Sequence, residues 1–159
     1  MTIKKIGIIG GGQLGSLLSV AAKKLNIYSV VYSDDADAPA KSFCDEFISG
    51  KYDDKDKISE FIGKVDVITF EFENIPYETL NEINKLKTVL PKPSINRLIQ
   101  HRIAEKDFIN KLNIRTTRYV SIEKESDIET LEDFLPGILK TTTMGYDGKG
   151  QYPINKKQD

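Results

Sequence analysis

One feature narrows the reading of this chain more than any other: the glycine turn Gly10-Gly11-Gly12-Gln13-Leu14-Gly15, which follows the apolar run Ile3 to Ile9. After it come Leu17, Leu18, Ala21, Ala22 and Leu25 at helical spacing. Strand, tight turn and helix in that order open a βαβ unit. Tyr28 to Tyr32 is a second β-branched and aromatic run, closed by Ser33-Asp34-Asp35, so the sheet should be parallel with a right-handed crossover. Gly10, Gly12 and Gly15 fit Gly-x-Gly-x-x-Gly, where glycines let backbone approach a ligand and the helix N-terminus offers unpaired N–H groups to an anion. Asp34 or Asp35 lies about 20 residues further on, where a ribose-binding carboxylate belongs. Up to this point two readings stand. Either the turn holds NAD or NADP, or its glycines only allow strand and helix to pack closely while the acids serve a turn.

Alternation of strand and helix continues. Phe47 to Ser49 reads as a short strand, Lys55 to Ile62 as a helix, and Val65 to Phe72 as a strand running into Glu71-Phe72-Glu73-Asn74. Pro76 suits a helix entry, Leu80, Ile83 and Leu86 share a helical face, and Val89-Leu90 is a brief strand before Pro91-Lys92-Pro93. Residues 1–93 are therefore expected to form an α/β, Rossmann-like parallel sheet domain.

The pattern changes after Pro93. From Ser94, an N-cap candidate, two helical segments with Ile99, Ile103, Phe108, Ile109 and Leu112 as apolar positions make a linker over 94–115. In 116–159 the expected elements are a strand over Tyr119 to Ile122, a helix from Ser126 to Phe134 with Ser126 and Glu129 as capping box, and a strand from Gly137 to Thr142. A glycine-rich loop follows, and a hairpin strand starts at Tyr152. So small an α+β unit buries too little surface to look complete.

Composition excludes other classes. With 23 basic and 24 acidic side chains the net charge is -1, which gives no general attraction for nucleic acid or anionic lipid. The longest apolar runs are strand-sized, so a membrane span is not expected and the chain reads as cytoplasmic. Cys44 is the only cysteine, which rules out an internal disulfide and a Cys-based metal site.

Several residues carry candidate chemistry. Glu71 and Glu73 lie at the carboxyl end of a strand, where open α/β sheets bind ligands, and strand alternation puts both on one face; the plain alternative is a solvated pair of acids. Lys140 ends the strand Gly137-Ile138-Leu139, five residues before Gly145-Tyr146-Asp147-Gly148-Lys149-Gly150-Gln151. Glycine amides can wrap phosphate oxygens, and a lysine leaving a strand can hold its ammonium against them. The Gly-Lys-Ser/Thr ending of a Walker A loop is absent, and a mobile polar hairpin tip is the plain alternative. His101 reads as an exposed or capping residue rather than a metal ligand, and Arg102 on its own reads as a surface arginine.

Taken in order, Ile8-Ile9-Gly10-Gly11-Gly12-Gln13-Leu14-Gly15, Asp37-Ala38-Pro39-Ala40, Thr69-Phe70-Glu71-Phe72-Glu73-Asn74, Leu139-Lys140-Thr141 and Gly145 to Gln151 resemble successive signatures of the 5-(carboxyamino)imidazole ribonucleotide synthase (PurK) family of the ATP-grasp superfamily. The resemblance covers essentially the whole chain. It implies a pre-ATP-grasp domain, linker helices and a truncated ATP-grasp small subdomain, and it lowers the dinucleotide reading, because the Rossmann-like domain of such proteins carries no nicotinamide. It implies ATP-dependent carboxylation of aminoimidazole ribonucleotide by bicarbonate, through carboxyphosphate.

By that resemblance Arg102 and Lys140 would contact ATP, with Gly145, Tyr146, Asp147, Gly148, Lys149, Gly150 and Gln151 folding over its phosphates. Gly12, Gln13, Leu14, Glu73, Tyr146 and Lys149 would reach the ribonucleotide. Family members are more than twice as long. Magnesium ligands are expected in the part not represented here, no complete catalytic set is expected in this chain, and the 159 residues alone should be inactive. Members commonly form dimers, so a homodimer is an allowed state of the parent. Two departures stand out: Ser16 where the family usually has Arg, and Thr141, Thr142 and Thr143 where it often has arginines. The rival readings are a noncatalytic module that binds a ribonucleotide or a partner, and an NAD-dependent oxidoreductase.

Overall fold

The computed structural model describes residues 4–145 and 148–156, apart from the side chain of Thr130. The chain divides into two compact units, Met1–Arg97 and Leu98–Asp159, each taken by itself below.

In the first unit the strands β1 (Lys5–Ile9), β2 (Tyr28–Ser33), β3 (Glu46–Ser49) and β4 (Val67–Phe70) form one parallel sheet in the order β3-β2-β1-β4. Register pairs Ile9 with Tyr32 on one side and with Phe70 on the other. Its helices are α1 (Gln13–Lys24), α2 (Lys55–Gly63) and α3 (Tyr77–Leu86), with a 3₁₀ turn over Pro39–Ser42, and α4 (Pro93–Ile99) begins in it and ends two residues past its last residue, Arg97. Asp54 caps α2, its carboxylate accepting from the Lys57 amide at 3.0 Å. The brief strand expected at Val89-Leu90 is reduced to a single parallel bridge between Ile68 and Val89.

The two faces of the sheet are packed differently. Alternation along β1 and β2 sends Ile9, Val30 and Tyr32 to one side, where they meet Phe61, Ile68, Ile75, Leu80 and Ile83. Each such fully buried side chain contributes about 1.5–3 kcal/mol, so most of the unit's stability lies on this face. Gly7 is open to the Phe61 ring, since a Cβ there would meet its Cζ at 2.6 Å. Ile8 and Val31 point the other way, to a small cluster with Ala40.

On that side α1 inverts the expected amphipathic pattern. Gly15, Ser16, Ser19 and Ala22 are buried, whereas Leu14, Leu17 and Leu25 are 57%, 57% and 70% exposed. The small residues allow close approach of helix to turn: a Cβ on Gly15 would stand 2.6 Å from the Gly10 carbonyl oxygen. Ser16 and Ser19 satisfy their buried hydroxyls within the helix, on the carbonyls of Gly12 and Gly15.

The second unit contains α5 (Arg102–Lys111), two 3₁₀ segments (Glu125–Thr130 and Glu132–Phe134) and the antiparallel pair β5 (Gly137–Lys140) and β6 (Gln151–Ile154). His101 caps α5 through Nδ1, which accepts from the Ala104 amide at 3.4 Å.

Four expectations need correction. Tyr119 to Ile122 is no strand and pairs with none among the described residues, so its apolar alternation has no ladder to join. The helix expected from Ser126 to Phe134 is two 3₁₀ pieces, and the capping carboxylate is Asp127, which accepts from the amides of Glu123 and Lys124. Ser94 lies inside α4, which already begins at Pro93. The strand expected to reach Phe72 ends at Phe70, where its partner β1 gives way to the glycine turn.

Candidate functional site

The sheet order reverses beside β1, with β2 on one flank and β4 on the other, so the carboxyl ends of β1 and β4 border the crevice where doubly wound sheets bind ligands. Both ends are pinned by backbone. The Gly10 amide donates to the Tyr32 carbonyl at 2.9 Å, and the Glu71 amide donates to the Ile9 carbonyl at 3.0 Å. Gly10 has φ of +107°, a conformation that L side chains rarely adopt, and this turns the chain toward α1.

Of the two glutamates leaving β4, the one that reaches the turn is Glu71. Its Oε1 accepts from the Gly12 amide at 2.9 Å, and its carboxylate lies so close that a Cβ on Gly10 would meet Oε1 at 2.7 Å. Glu73 is exposed, because the strand has already ended and alternation no longer governs its direction. Gln13 and Leu14 open α1 and are exposed. Sequence reasoning named Glu71 and Glu73 together and did not anticipate that Glu71 is the one bonded to the glycine turn. The signal for it was the pairing of Ile9 with Phe70, which sets residue 71 beside Gly10.

Asp34 and Asp35 serve the loop after β2. The Asp35 carboxylate accepts from the Asp37 amide at 2.9 Å, and the Asp35 amide donates to the Ser33 hydroxyl at 3.2 Å. Burial, and then the neighbouring Asp34 charge, pushes the Tyr52 phenol well above its ordinary value. The loop leads to Asp37-Ala38-Pro39-Ala40, whose Ala40 amide donates to the Gly11 carbonyl at 2.9 Å and so braces the glycine turn from behind.

In the second unit the residues expected at the nucleotide gather around the β5–β6 hairpin. Lys140 pairs with Gln151, and the Thr141 amide donates to the Gly150 carbonyl at 3.0 Å. Gly148 and Gly150 have positive φ, +78° and +64°, which turns the loop back on itself. Thr141 fills the inside of this loop: Cβ atoms on Gly145 and Gly150 would meet its Oγ1 at 2.8 and 2.6 Å. Arg102 is tied in from α5. Its amide donates to the Thr142 carbonyl at 2.8 Å, its Nη2 donates to the Gly145 carbonyl at 3.3 Å, and its buried Nε has no partner among the described residues. Tyr146 and Asp147, two of the expected contacts, lie outside the described residues. Lys149 is exposed.

A cavity of about 700 Å3 opens beside the hairpin, with Arg102, Lys106, Arg118 and Lys140 among its lining and Asp133 as its one carboxylate among the described residues. Lys106 and Arg118 had no motif to announce them. Each is held by an aromatic ring, Lys106 over Tyr119 at 5.0 Å and Arg118 over Phe134 at 4.8 Å. Four cations against one acid make the cavity wall suited to an anionic ligand. Among the described residues no group of three or more His, Cys, Asp or Glu could hold a metal ion, and no helix is long and apolar enough to cross a membrane.

Comparison with known proteins gives two family matches: the ribonucleotide synthetase preATP-grasp domain over residues 3–100, and the ATP-grasp domain over residues 107–159. The N5-carboxyaminoimidazole ribonucleotide synthase of Staphylococcus aureus (strain COL) is 36% identical over 156 residues, which are 97% of this chain and 42% of that protein. The bifunctional purine synthesis protein purC/E of Dictyostelium discoideum is also 36% identical over 156 residues, 97% of this chain and 16% of its own length. The solved structure of N5-carboxyaminoimidazole synthetase from Staphylococcus aureus complexed with ADP matches with a TM-score of 0.90 at 36% identity, over 98% of this chain and 42% of that one. The synthase from Aspergillus clavatus in complex with ADP and 5-aminoimidazole ribonucleotide matches with a TM-score of 0.81 at 25% identity, over the same 98% and 42%. The chain thus spans less than half the length of these relatives.

Proposed function

Because the chain belongs to the ribonucleotide synthetase preATP-grasp family, we propose that it is the amino-terminal part of an ATP-grasp ligase that carboxylates 5-aminoimidazole ribonucleotide with bicarbonate, in purine biosynthesis in the cytoplasm. The parent would join bicarbonate to the γ-phosphoryl group of ATP, releasing ADP. The ribonucleotide amine would then take up the carboxyl group and release phosphate.

In this reading the second unit holds the polyphosphate. Phosphoryl transfer depends on positioning and on neutralising charge, and a hairpin of glycines beside several cations supplies both. The observation that carries the reading is Arg102, bonded to the loop through Nη2 while its buried Nε has no partner among the described residues. A buried donor in that state costs about 1–3 kcal/mol, which an anionic ligand would recover. Lys140 would meet a phosphate from the strand end, with Gly145, Tyr146, Asp147, Gly148, Lys149, Gly150 and Gln151 closing over it. In this reading the share of the ATP site carried by these residues is cations and backbone amides. In the first unit Gly12, Gln13, Leu14 and Glu73 would meet the ribonucleotide at the carboxyl ends of β1 and β4. The magnesium that ATP carries would find its ligands in the remainder of the parent.

The test is a set of thermal melts of the chain with ATP, 5-aminoimidazole ribonucleotide and NAD added separately. A ligand in ~100-fold excess over its dissociation constant stabilises by ~2.7 kcal/mol, enough to see. ATP or the ribonucleotide should raise the midpoint, and NAD should leave it unmoved. A response to NAD alone would sink the reading. Incubation of the chain alone with ATP and bicarbonate should yield no ADP.

A further inference from the structure

We propose that Glu71 is a specificity-determining residue that closes the glycine turn to phosphate, by keeping its own carboxylate on the amide where a bound anion would sit. The inference concerns the turn itself and goes beyond the reaction proposed above.

A glycine turn that leads into a helix receives a pyrophosphate because its amides are unpaired and the helix N-terminus favours negative charge. In this chain that seat is taken. Gly12 is the N-cap of α1, the helix has no acidic residue in its first turn, and the Gly12 amide is spent on Glu71 Oε1 at 2.9 Å. The same oxygen stands 2.7 Å from where a Cβ on Gly10 would be, and 3.2 Å from one on Gly12. The carboxylate therefore fills the space that two glycines leave open.

Glu71 is also held from its backbone. Its amide donates to the Ile9 carbonyl at 3.0 Å, so the side chain begins at the fixed end of β4 and closes across the crevice onto β1's turn. No ion pair among the described residues draws the carboxylate elsewhere. A phosphate arriving at Gly12 would have to displace a hydrogen-bonded carboxylate and then lie against its charge. Both terms act against a dinucleotide, although the glycine spacing fits one.

The experiment follows the Gly12 amide by proton–nitrogen correlation spectroscopy while inorganic pyrophosphate, and separately NAD, is titrated into the wild-type chain, Glu71→Gln and Glu71→Ala. In the wild type the Gly12 resonance should stay in place. In Glu71→Ala it should move saturably, with pyrophosphate affinity at least about tenfold higher than in wild type. Glu71→Gln keeps the shape and an acceptor oxygen but loses the charge, so its gain should be smaller than that of Glu71→Ala. Saturable binding at Gly12 of the wild type as tight as in Glu71→Ala overturns the proposal. So does the absence of any gain in whichever variant keeps the wild-type spectrum over β1, β2 and β4. Failure of ATP or ribonucleotide binding would leave these outcomes unchanged, which separates this test from that of the ligase reading.

Discussion

Nη2 of Arg102 donates to the carbonyl oxygen of Gly145 across 3.3 Å, joining the first turn of α5 to the loop between β5 and β6. One guanidinium thus fixes a glycine of the loop while its buried Nε has no partner among the described residues. Replacing it removes both nitrogens. Arg102→Ala should weaken ATP binding about 10- to 100-fold, the worth of one or two hydrogen bonds to a charged group. Arg102→Lys should restore little, since an ammonium cannot serve loop and ligand with one planar fork. Calorimetric titration with ATP measures this, and equal affinity of Arg102→Ala and wild type would remove Arg102 from the nucleotide site.

Gly15 and Gly63 predict opposite effects of one added methyl group. A Cβ on Gly15 meets the Gly10 carbonyl oxygen at 2.6 Å, whereas one on Gly63 meets nothing within 4 Å. Gly15→Ala should cost about 1–3 kcal/mol through forced backbone movement. Gly63→Ala should gain about 0.4–1 kcal/mol by restricting the unfolded chain. Urea midpoints of the two variants decide, and a Gly15→Ala protein as stable as wild type would show the turn to be looser than described.

The inverted packing of α1 is testable in the same way. Leu17 is 57% exposed, and Phe61 is fully buried against Gly7 and Tyr32. Leu17→Ala should change stability by no more than about 0.5 kcal/mol, while Phe61→Ala should cost about 3–5 kcal/mol. Comparable losses at the two positions would mean that the leucines, and not the small residues, face the sheet.

Alkaline pH should loosen the first unit. Burial, followed by the charges of Asp54, Asp53 and Asp34, raises the Tyr32 phenol from 10.0 to about 12, and its hydroxyl donates to the Lys51 carbonyl at 2.6 Å. A pKa raised on folding means that the native state holds the proton more tightly. The contribution is therefore complete below pH 10, the unfolded value, and disappears as pH climbs to about 12. Tyr32→Phe should lower stability at neutral pH by about 0.5–1.5 kcal/mol, for the lost hydrogen bond, and should flatten the alkaline decline. Denaturation curves between neutrality and pH 12 check it; an unchanged slope in the variant would assign the decline to Tyr52 or to other groups.

The sequence was most legible where local pattern and tertiary packing agree. Gly10 to Gly15 marked a strand–turn–helix and the structure contains it, because positive φ at Gly10 and the close approach at Gly15 are demands that only glycine meets cheaply. Periodicity located α1 but misled about its buried face. Spacing reports that one side is apolar, not that the sheet prefers the serines and alanine between the leucines. Alternation carried past Phe70 put Glu71 and Glu73 on one face, yet alternation lasts only while a partner strand does, and β1 ends at Ile9. Around the hairpin, Lys140 and the glycines were announced by a motif. Lys106 and Arg118 reach the cavity through rings of Tyr119 and Phe134, contacts between residues at no regular spacing. Thr141, noted as a missing charge, turns out to occupy the inside of the loop against Gly145 and Gly150.

The hairpin of β5 and β6 is only two strands wide, each of four residues, and a ribbon of that size is marginal in water by itself. Its amides should therefore trade hydrogen for deuterium through brief local openings, whereas those of Ile8 and Val30, inside a four-stranded sheet, should wait for global unfolding. Isotope uptake at Leu139 and Tyr152 is accordingly the earliest place where a seated nucleotide would register, as a slowing confined to this ribbon.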